Sequence, residues 1–113
     1  MKLRFSSMIF EGETINIFSK LSKLEVLVLE DESDLERWEA SASHFPNLEH
    51  LVLDLCEKLE KIPAEFEEIS NLKSIKVYGC LPSTVDSAKE IQRQQHEQGN
   101  DIMIVTEKEG KMK

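Results

Sequence analysis

Apolar residues recur along the chain with a constant period of 24 positions, as from Leu24 to Leu48 and on to Leu72. Three copies of one apolar motif occupy equivalent positions: Leu24, Leu27 and Leu29; Leu48, Leu51 and Leu53; and Leu72, Ile75 and Val77. In each copy the last two apolar residues are two positions apart, which is the alternation of a strand with one buried face. The pattern predicts short strands around Val26–Glu30, His50–Asp54 and Ser74–Tyr78.

A repeat of this length predicts a particular kind of fold. The order L-x-x-L-x-L, recurring with a period of about 20–29 residues, is typical of leucine-rich repeats, whose stacked coils each add one strand to a parallel sheet. One period before Leu27 and Leu29 stand Leu3 and Phe5, so we expect an earlier, incomplete repeat at the start of the chain. We therefore predict an α/β fold, a leucine-rich repeat solenoid fragment with a narrow parallel sheet of three to five short strands.

The segments between the strands are predicted to form an irregular convex side. Pro63 interrupts any regular helix at its position, and Ala64–Ile69 is long enough for one or two helical turns. Trp38 stands at the same repeat position as Ile62, which favours packing in the core over an exposed interface role. These segments would close the core on the side opposite the sheet.

The pattern changes after Cys80, where a C-terminal capping helix is predicted. Val85, Ala88 and Ile91 fall on one face of an amphipathic helix over roughly residues 84–98. Ser83 stands three residues before Asp86, the spacing of a capping box at a helix start. The helix would cover the apolar edge of the last repeat.

These patterns divide the chain into three parts. Residues 1–82 are expected to be leucine-rich repeats of period 24, with an incomplete first repeat. Residues 83–106 would form the C-terminal helix and a short strand, because Ile102 and Ile104 have the i, i+2 spacing of the earlier strands. We expect the charged residues 107–113 to be a disordered tail.

Composition narrows the classes of partner. Hydrophobic residues make up 40% of the chain and charged residues 32%, which suits a globular protein. The net charge of −8 argues against a nucleic-acid partner or an anionic membrane surface, since both need clustered basic residues. The apolar runs are too short for an integral membrane segment, and the first residues lack the apolar stretch of a secretory signal.

The residue types that carry chemistry do not form a recognisable site. Cys56 and Cys80 both fall on the repeat. Neighbouring strands lie about 4.8 Å apart, so a disulfide is not sterically excluded, but buried free thiols in a reducing compartment are favoured. The three histidines lack metal-ligand spacing with a cysteine. We expect no catalytic, cofactor-binding or metal-binding residues, and no enzymatic activity.

A protein-binding role is predicted for the outward residues of the three strands. Val28, Val52 and Tyr78 would form an exposed apolar stripe edged by charge, which is the composition of a modest protein interface. The alternative is the solvated face of a sheet without a partner. The candidate concave face comprises Val26, Val28, Glu30, His50, Val52, Asp54, Ser74, Lys76 and Tyr78.

Three short runs resemble a known family. The run W-E-A-S begins at Trp38, H-F-P-N-L-E begins at His44, and S-A-K-E-I-Q begins at Ser87. Together they resemble the C-terminal repeats of plant intracellular immune receptors of the coiled-coil, nucleotide-binding, leucine-rich-repeat class, above all the late-blight resistance proteins of the nightshade family.

The resemblance implies a cytoplasmic receptor that detects a pathogen effector or a guarded host protein and triggers the hypersensitive response. It implies that the repeats recognise partners and contact other domains of the receptor. The family binds ADP or ATP through a P-loop domain, and this chain lacks the P-loop motif, so we expect no cofactor in it. Two other interpretations remain open: a stand-alone repeat adaptor or scaffold, and a truncated gene product without independent function.

Overall fold

The chain folds around one parallel β-sheet. The computed structural model describes residues 2–6 (backbone only), 24–31, 36, 38 and 45–108. The sheet contains five strands in chain order: β1 (Lys2–Ser6), β2 (Val26–Glu30), β3 (His50–Asp54), β4 (Ser74–Tyr78) and β5 (Ile104–Lys108). The three strands predicted from the repeat are confirmed at their predicted bounds, and so is the α/β class with its parallel sheet.

Equivalent residues of successive repeats lie side by side in the sheet. Leu27 pairs with Leu3 on one side and with Leu51 on the other, and Leu51 pairs in turn with Ile75. The side chains of Leu27, Leu51 and Ile75 are fully buried. Equivalent residues of successive repeats therefore form one buried column, and burial of this column is the main force that stacks the strands.

Backbone hydrogen bonds repeat with the same period. The N–H groups of Glu49 and His50 both donate to the carbonyl of Glu25, at 2.8 and 3.0 Å. One repeat later, the N–H groups of Lys73 and Ser74 donate to the carbonyl of Glu49, at 2.7 and 3.1 Å. The starts of β3 and β4 are thus each attached to the preceding repeat through an equivalent carbonyl.

Strands β2, β3 and β4 are each followed by a residue in the left-handed region. The φ angles are 54° at Asp31, 59° at Leu55 and 66° at Gly79. The N–H group of each donates to the last carbonyl of the next strand, at 2.7–2.8 Å. Only glycine adopts this region without a steric cost from Cβ, about 1–2 kcal/mol for other residues, so the hydrogen bond offsets strain at Asp31 and Leu55.

The core lies between the sheet and the connecting segments. Trp38, Phe45 and Phe66 fill its side opposite the sheet. The Phe66 ring centroid lies 5.2 Å from that of Trp38 in an edge-to-face arrangement and 5.8 Å from that of Phe45. Trp38 is a core residue, as predicted from its repeat position. Phe66 belongs to a 3₁₀ helix, Ala64–Glu68, which is the predicted short helical turn after Pro63.

One α-helix, α1 (Pro82–Glu97), follows β4. It begins at Pro82, two residues before the predicted start. Proline is well tolerated at the first position of a helix, because the N–H group that it lacks would have no partner there. The predicted capping box is wrong. Leu81 is the N-cap residue and makes no side-chain cap hydrogen bond, while Ser83 lies inside the helix and donates to the carbonyl of Glu60 at 2.7 Å.

The last strand differs most from the prediction. Ile104 pairs with Ser74. If the period of 24 residues had continued, Gln98 would have stood at this position. The connection that contains α1 is longer than the connections between β2, β3 and β4, which moves the strand further along the chain. Met103 and Val105 face the core, whereas Ile102 and Ile104 are 66% and 54% exposed. The strand extends through Lys108, so Glu107 and Lys108 do not belong to a disordered tail. Residues 109–113 lie outside the described part of the chain.

Polar side chains attach α1 to the preceding coil at both of its ends. Near the start, the buried Thr84 hydroxyl donates to the carbonyl of Leu59 at 2.5 Å, and Ser87 Oγ accepts from the N–H of Ile62 at 2.9 Å. These bonds satisfy backbone groups of an irregular segment, which would otherwise be buried without partners.

The second attachment is centred on Gln95, whose side chain is 2% exposed. Its amide nitrogen lies 3.0 Å from the carbonyl oxygens of Phe66, Glu67 and Ile69, around the end of the 3₁₀ helix. Its amide oxygen accepts from Asn100 Nδ2 at 2.8 Å, and Asn100 Nδ2 also donates to the carbonyl of Leu72 at 2.8 Å. A single polar network thus joins the last two turns of α1 to the coil beneath it.

Candidate protein-binding face

The outward residues of the strands form a regular array, which we call the outer face. The parallel register places them in three rows across the sheet: Val26, His50, Ser74 and Ile104; Val28, Val52, Lys76 and Thr106; and Glu30, Asp54, Tyr78 and Lys108. All nine residues of the sequence-based candidate face lie in this array. Their role in binding stays a prediction.

Two of the nine residues are less exposed than expected. Val28 is only 7% exposed and Ser74 only 6%, so the prediction that Val28 is exposed is wrong. Val28 lies in register between Arg4 and Val52, and a short side chain in the middle of a sheet is shielded by the strands on both sides. The accessible apolar stripe therefore consists of the half-buried Val26, Val52 and Tyr78.

A hydrogen bond joins two residues of the first row. His50 Nδ1 lies 2.7 Å from Ser74 Oγ. The two side chains are one repeat apart on paired strands, so the bond holds the imidazole ring across the β3–β4 boundary. This fixes the shape of the outer face beside the apolar stripe.

Charge changes sign along the third row. Glu30 and Asp54 pair across β2 and β3, and burial raises the pKa of Asp54, with further contributions from the charges of Glu30 and Asp31. At the other end of the row, Lys108 Nζ lies 5.8 Å from the centroid of the Tyr78 ring, a cation–π contact. The row thus runs from an acidic end to a basic end with an aromatic ring between them.

We expect Asp54→Asn to stabilise the protein at neutral pH. The folded state disfavours the charged carboxylate, so the pKa is higher in the folded state than its ordinary value of 3.8. As the pH falls through the pKa that Asp54 has in the folded protein, its carboxylate becomes protonated and the wild type gains stability. Below the pKa of the unfolded chain, the advantage of the variant has disappeared. Solvent screening keeps the gain within about 0.5 kcal/mol.

Urea unfolding at neutral and at acidic pH measures this difference. Asp101→Asn, in the turn before β5, is a suitable control because it removes an equal charge from an exposed position. An advantage of Asp54→Asn that persisted unchanged in acid would contradict the proposed electrostatic origin.

Sequence reasoning missed the contribution of β5 to the outer face. Ile104, Thr106 and Lys108 extend the three rows by one residue each. The signal that could have located them is the apolar Met103 and Val105, which alternate with exposed positions. The more hydrophobic pair Ile102 and Ile104 obscured this alternation.

The two cysteines lie just beyond β3 and β4, and neither forms a disulfide. Cys56 is fully buried, as predicted, but Cys80 is only partly buried. The Cys56 thiol donates to the carbonyl of Leu29 at 3.6 Å, and the Cys80 thiol donates to the carbonyl of Leu53 at 3.8 Å. The thiols thus occupy equivalent polar slots, in agreement with the sequence analysis.

Among the residues that the structure describes, no group of three or more histidine, cysteine or acidic residues is placed to hold a metal ion. Within the same residues, no helix has the length and apolar character needed to cross a membrane.

The chain is similar to parts of known plant proteins, although no protein-family model matches it. It is 45% identical to a late blight resistance protein of Solanum demissum over 78 residues, which are 69% of this chain. Two homologues of that protein from the same species match at 45% over 75 residues and at 43% over 89 residues, or 66% and 77% of this chain. The chain spans about 6% of the length of each of these three relatives. Over most of its length the chain is therefore homologous to a segment of the late blight resistance proteins of the nightshade Solanum demissum.

Proposed function

We propose that this chain is a leucine-rich repeat segment of a plant disease resistance protein, an intracellular immune receptor, and that it acts without catalysis by contacting other proteins. The observation that carries this proposal is the identity of 43–45% with late blight resistance proteins. These relatives are named as resistance proteins against late blight, which supports a role of this chain in plant defence.

The architecture supports the repeat assignment. Strands β1 to β4 pair in steps of one repeat period, as stacked coils of a leucine-rich repeat solenoid would. Equivalent backbone hydrogen bonds precede β3 and β4. Helix α1 buries Ala88 and Ile91 against the end of this stack. We assign it the role of a cap that covers the apolar edge of the last coil.

The outer face is the surface we assign to recognition. It combines a short apolar stripe with an acidic and a basic end, and interfaces between proteins commonly combine an apolar centre with a polar rim. Its partners would be another domain of the receptor, or a pathogen effector or guarded host protein in the cytoplasm. Nucleotide binding would belong to a separate domain and not to these residues.

The double substitution Val52→Glu with Tyr78→Ala tests the outer face. It places a charge in the apolar stripe and removes its aromatic ring, so we expect binding to the other receptor domains to weaken about tenfold or more. Co-precipitation of the tagged chain with those domains, produced as a separate polypeptide, measures the loss.

A control double variant also introduces one glutamate and one alanine, but away from the outer face. Lys61→Ala with Ala64→Glu alters exposed residues of the connection between β3 and β4 and should leave binding unchanged. Circular dichroism establishes that both variants are folded. Equal binding by the two variants would contradict a role of the outer face in recognition.

A further inference from the structure

The two cysteines are close neighbours in the fold. Each cysteine stands two residues after the end of its strand. The last residues of these strands, Asp54 in β3 and Tyr78 in β4, are paired directly in the sheet. Neighbouring strands are about 4.8 Å apart, which is inside the range of about 4.4–6.8 Å between Cα atoms of a disulfide. The backbone between strand and cysteine stays joined as well, because the N–H group of Leu55 donates to the carbonyl of Tyr78 at 2.7 Å.

The environments of the two thiols differ. Cys56 is fully buried, whereas Cys80 lines a cavity of about 720 Å³ that lies between the start of α1 and the end of β5. Lys89 and Lys108 line the same cavity, and Lys89 forms an ion pair of 3.5 Å with Glu107 at its edge. An oxidant of small size therefore has access to Cys80 and not to Cys56.

The hydrogen bonds around Cys80 favour its thiolate. The neighbouring Cys56 thiol, as a hydrogen-bond donor, is the largest cause that lowers the pKa of Cys80, and burial and the charge of Asp54 oppose it. A thiolate is the reactive form of cysteine in oxidation. The accessible thiol is thus also the one whose reactive form is stabilised.

We propose that Cys80 is a peroxide-reactive thiol and that Cys56 converts its oxidised form into an intramolecular disulfide. This role is independent of the proposed recognition function. It makes the pair Cys56 and Cys80 a reversible oxidation site between two successive coils.

The reaction proceeds in two steps that balance. The Cys80 thiolate attacks one oxygen of hydrogen peroxide; the O–O bond breaks, and the hydroxide that leaves takes up a proton to give water. Cys80 becomes a sulfenic acid. The Cys56 sulfur, losing its proton, then attacks the Cys80 sulfur; the S–O bond breaks, and the hydroxide leaves as a second water. Two thiols and one peroxide thus give one disulfide and two waters.

Bond formation needs a small local movement. The two side chains point in equivalent directions, toward the carbonyls of Leu29 and Leu53. One of them must rotate about χ1, which breaks the hydrogen bond of Cys80 to Leu53 or of Cys56 to Leu29. The rotation of Cys80 requires less rearrangement, because its sulfur borders the cavity rather than the packed core.

Mass spectrometry of the 113-residue protein tests the proposal. Treatment with hydrogen peroxide, followed by alkylation without reduction, should give a monomer that has lost two hydrogen atoms and carries no alkyl group. A peptide linking Cys56 to Cys80 should appear after digestion, and dithiothreitol should restore both thiols. In the untreated protein, iodoacetamide should modify Cys80 about tenfold faster than Cys56.

Two variants separate the roles of the thiols while keeping a hydrogen-bond donor at each position. In Cys56→Ser, dimedone should label a persistent sulfenic acid on Cys80. In Cys80→Ser, peroxide should leave Cys56 unmodified. Wild-type protein that forms only intermolecular disulfides, or that shows equal alkylation rates for both cysteines under native conditions, would overturn the proposal without reliance on either variant.

Discussion

Replacement of Gln95 by glutamate is expected to lower the free energy of unfolding by about 3–5 kcal/mol, the cost of an unpaired buried charge. The amide nitrogen of Gln95 lies 3.0 Å from three carbonyl oxygens in a site that is 2% exposed. The substitution has the same shape but puts a carboxylate oxygen where the donor stood. Urea unfolding followed by circular dichroism measures the loss.

The pH dependence of this variant identifies the cause. Burial and the facing carbonyls raise the folded-state pKa of the new carboxyl group above its unfolded value. The destabilisation is therefore complete above the folded pKa and is relieved as the pH falls through it. Gln98→Glu, at an exposed position after the helix, is the control and should cost only a few tenths of a kcal/mol, about the size of an unfavourable helix-end charge. An equal loss in both variants would contradict the role of the Gln95 network.

Replacement of Phe66 by alanine should cost about 3–5 kcal/mol, since it removes a fully buried ring and leaves a cavity. The ring lies between Trp38 and Phe45. The effect should therefore spread to the tryptophan, whose fluorescence is expected to shift toward that of a hydrated indole. Thermal unfolding and the emission maximum of the single tryptophan measure both effects.

Phe66→Leu is the matched control for the core. It retains most of the apolar volume, so a loss of about 1–1.5 kcal/mol is expected. The carbonyl of Phe66 still accepts from Gln95 in both variants, because the substitutions leave the backbone unchanged. Equal losses for Phe66→Ala and Phe66→Leu would show that the ring fills the core less closely than the structure indicates.

Strands β2, β3 and β4 were predictable at their bounds because their environments are equivalent. Each inward position, such as Leu27 or Leu51, has a neighbour of the same kind on both sides, so its residue type repeats with the period of the chain. An apolar repeat therefore records the register of the sheet as well as the positions of the strands.

Strand β5 was predicted two residues early because its environment is not equivalent to the others. It follows a longer connection and lies beside α1, so its residues are not spaced 24 positions from those of β4. Hydrophobicity alone favoured Ile102 and Ile104 as inward residues, but the alternation places Met103 and Val105 there.

The attachments of α1 could not be predicted from an apolar pattern. Thr84 and Gln95 lie on the buried side of the helix, where a hydrophobicity rule expects apolar residues. They are buried because the irregular connections present backbone carbonyls that need donors. The positions of such carbonyls depend on the path of the loops, which the repeat does not specify.

The candidate binding face was predictable in position but not in exposure. The period of two along a strand identifies its outward residues. The low exposure of Val28 and Ser74 depends on neighbouring strands, and on contacts such as that of Ser74 with His50. These are properties of the assembled sheet.

The equal steps between β1, β2, β3 and β4 also constrain how such a protein can change length. Removal or duplication of one complete repeat of 24 residues would leave strands that still pair in register. Leu51, for example, could then pair with the residues that now pair with Leu27 or with Ile75. A gain or loss of an odd number of residues within a strand would exchange its inward and outward side chains. Growth or shrinkage of the array by whole units would thus keep the register of the strands, and new combinations of surface residues can arise without redesign of the interior.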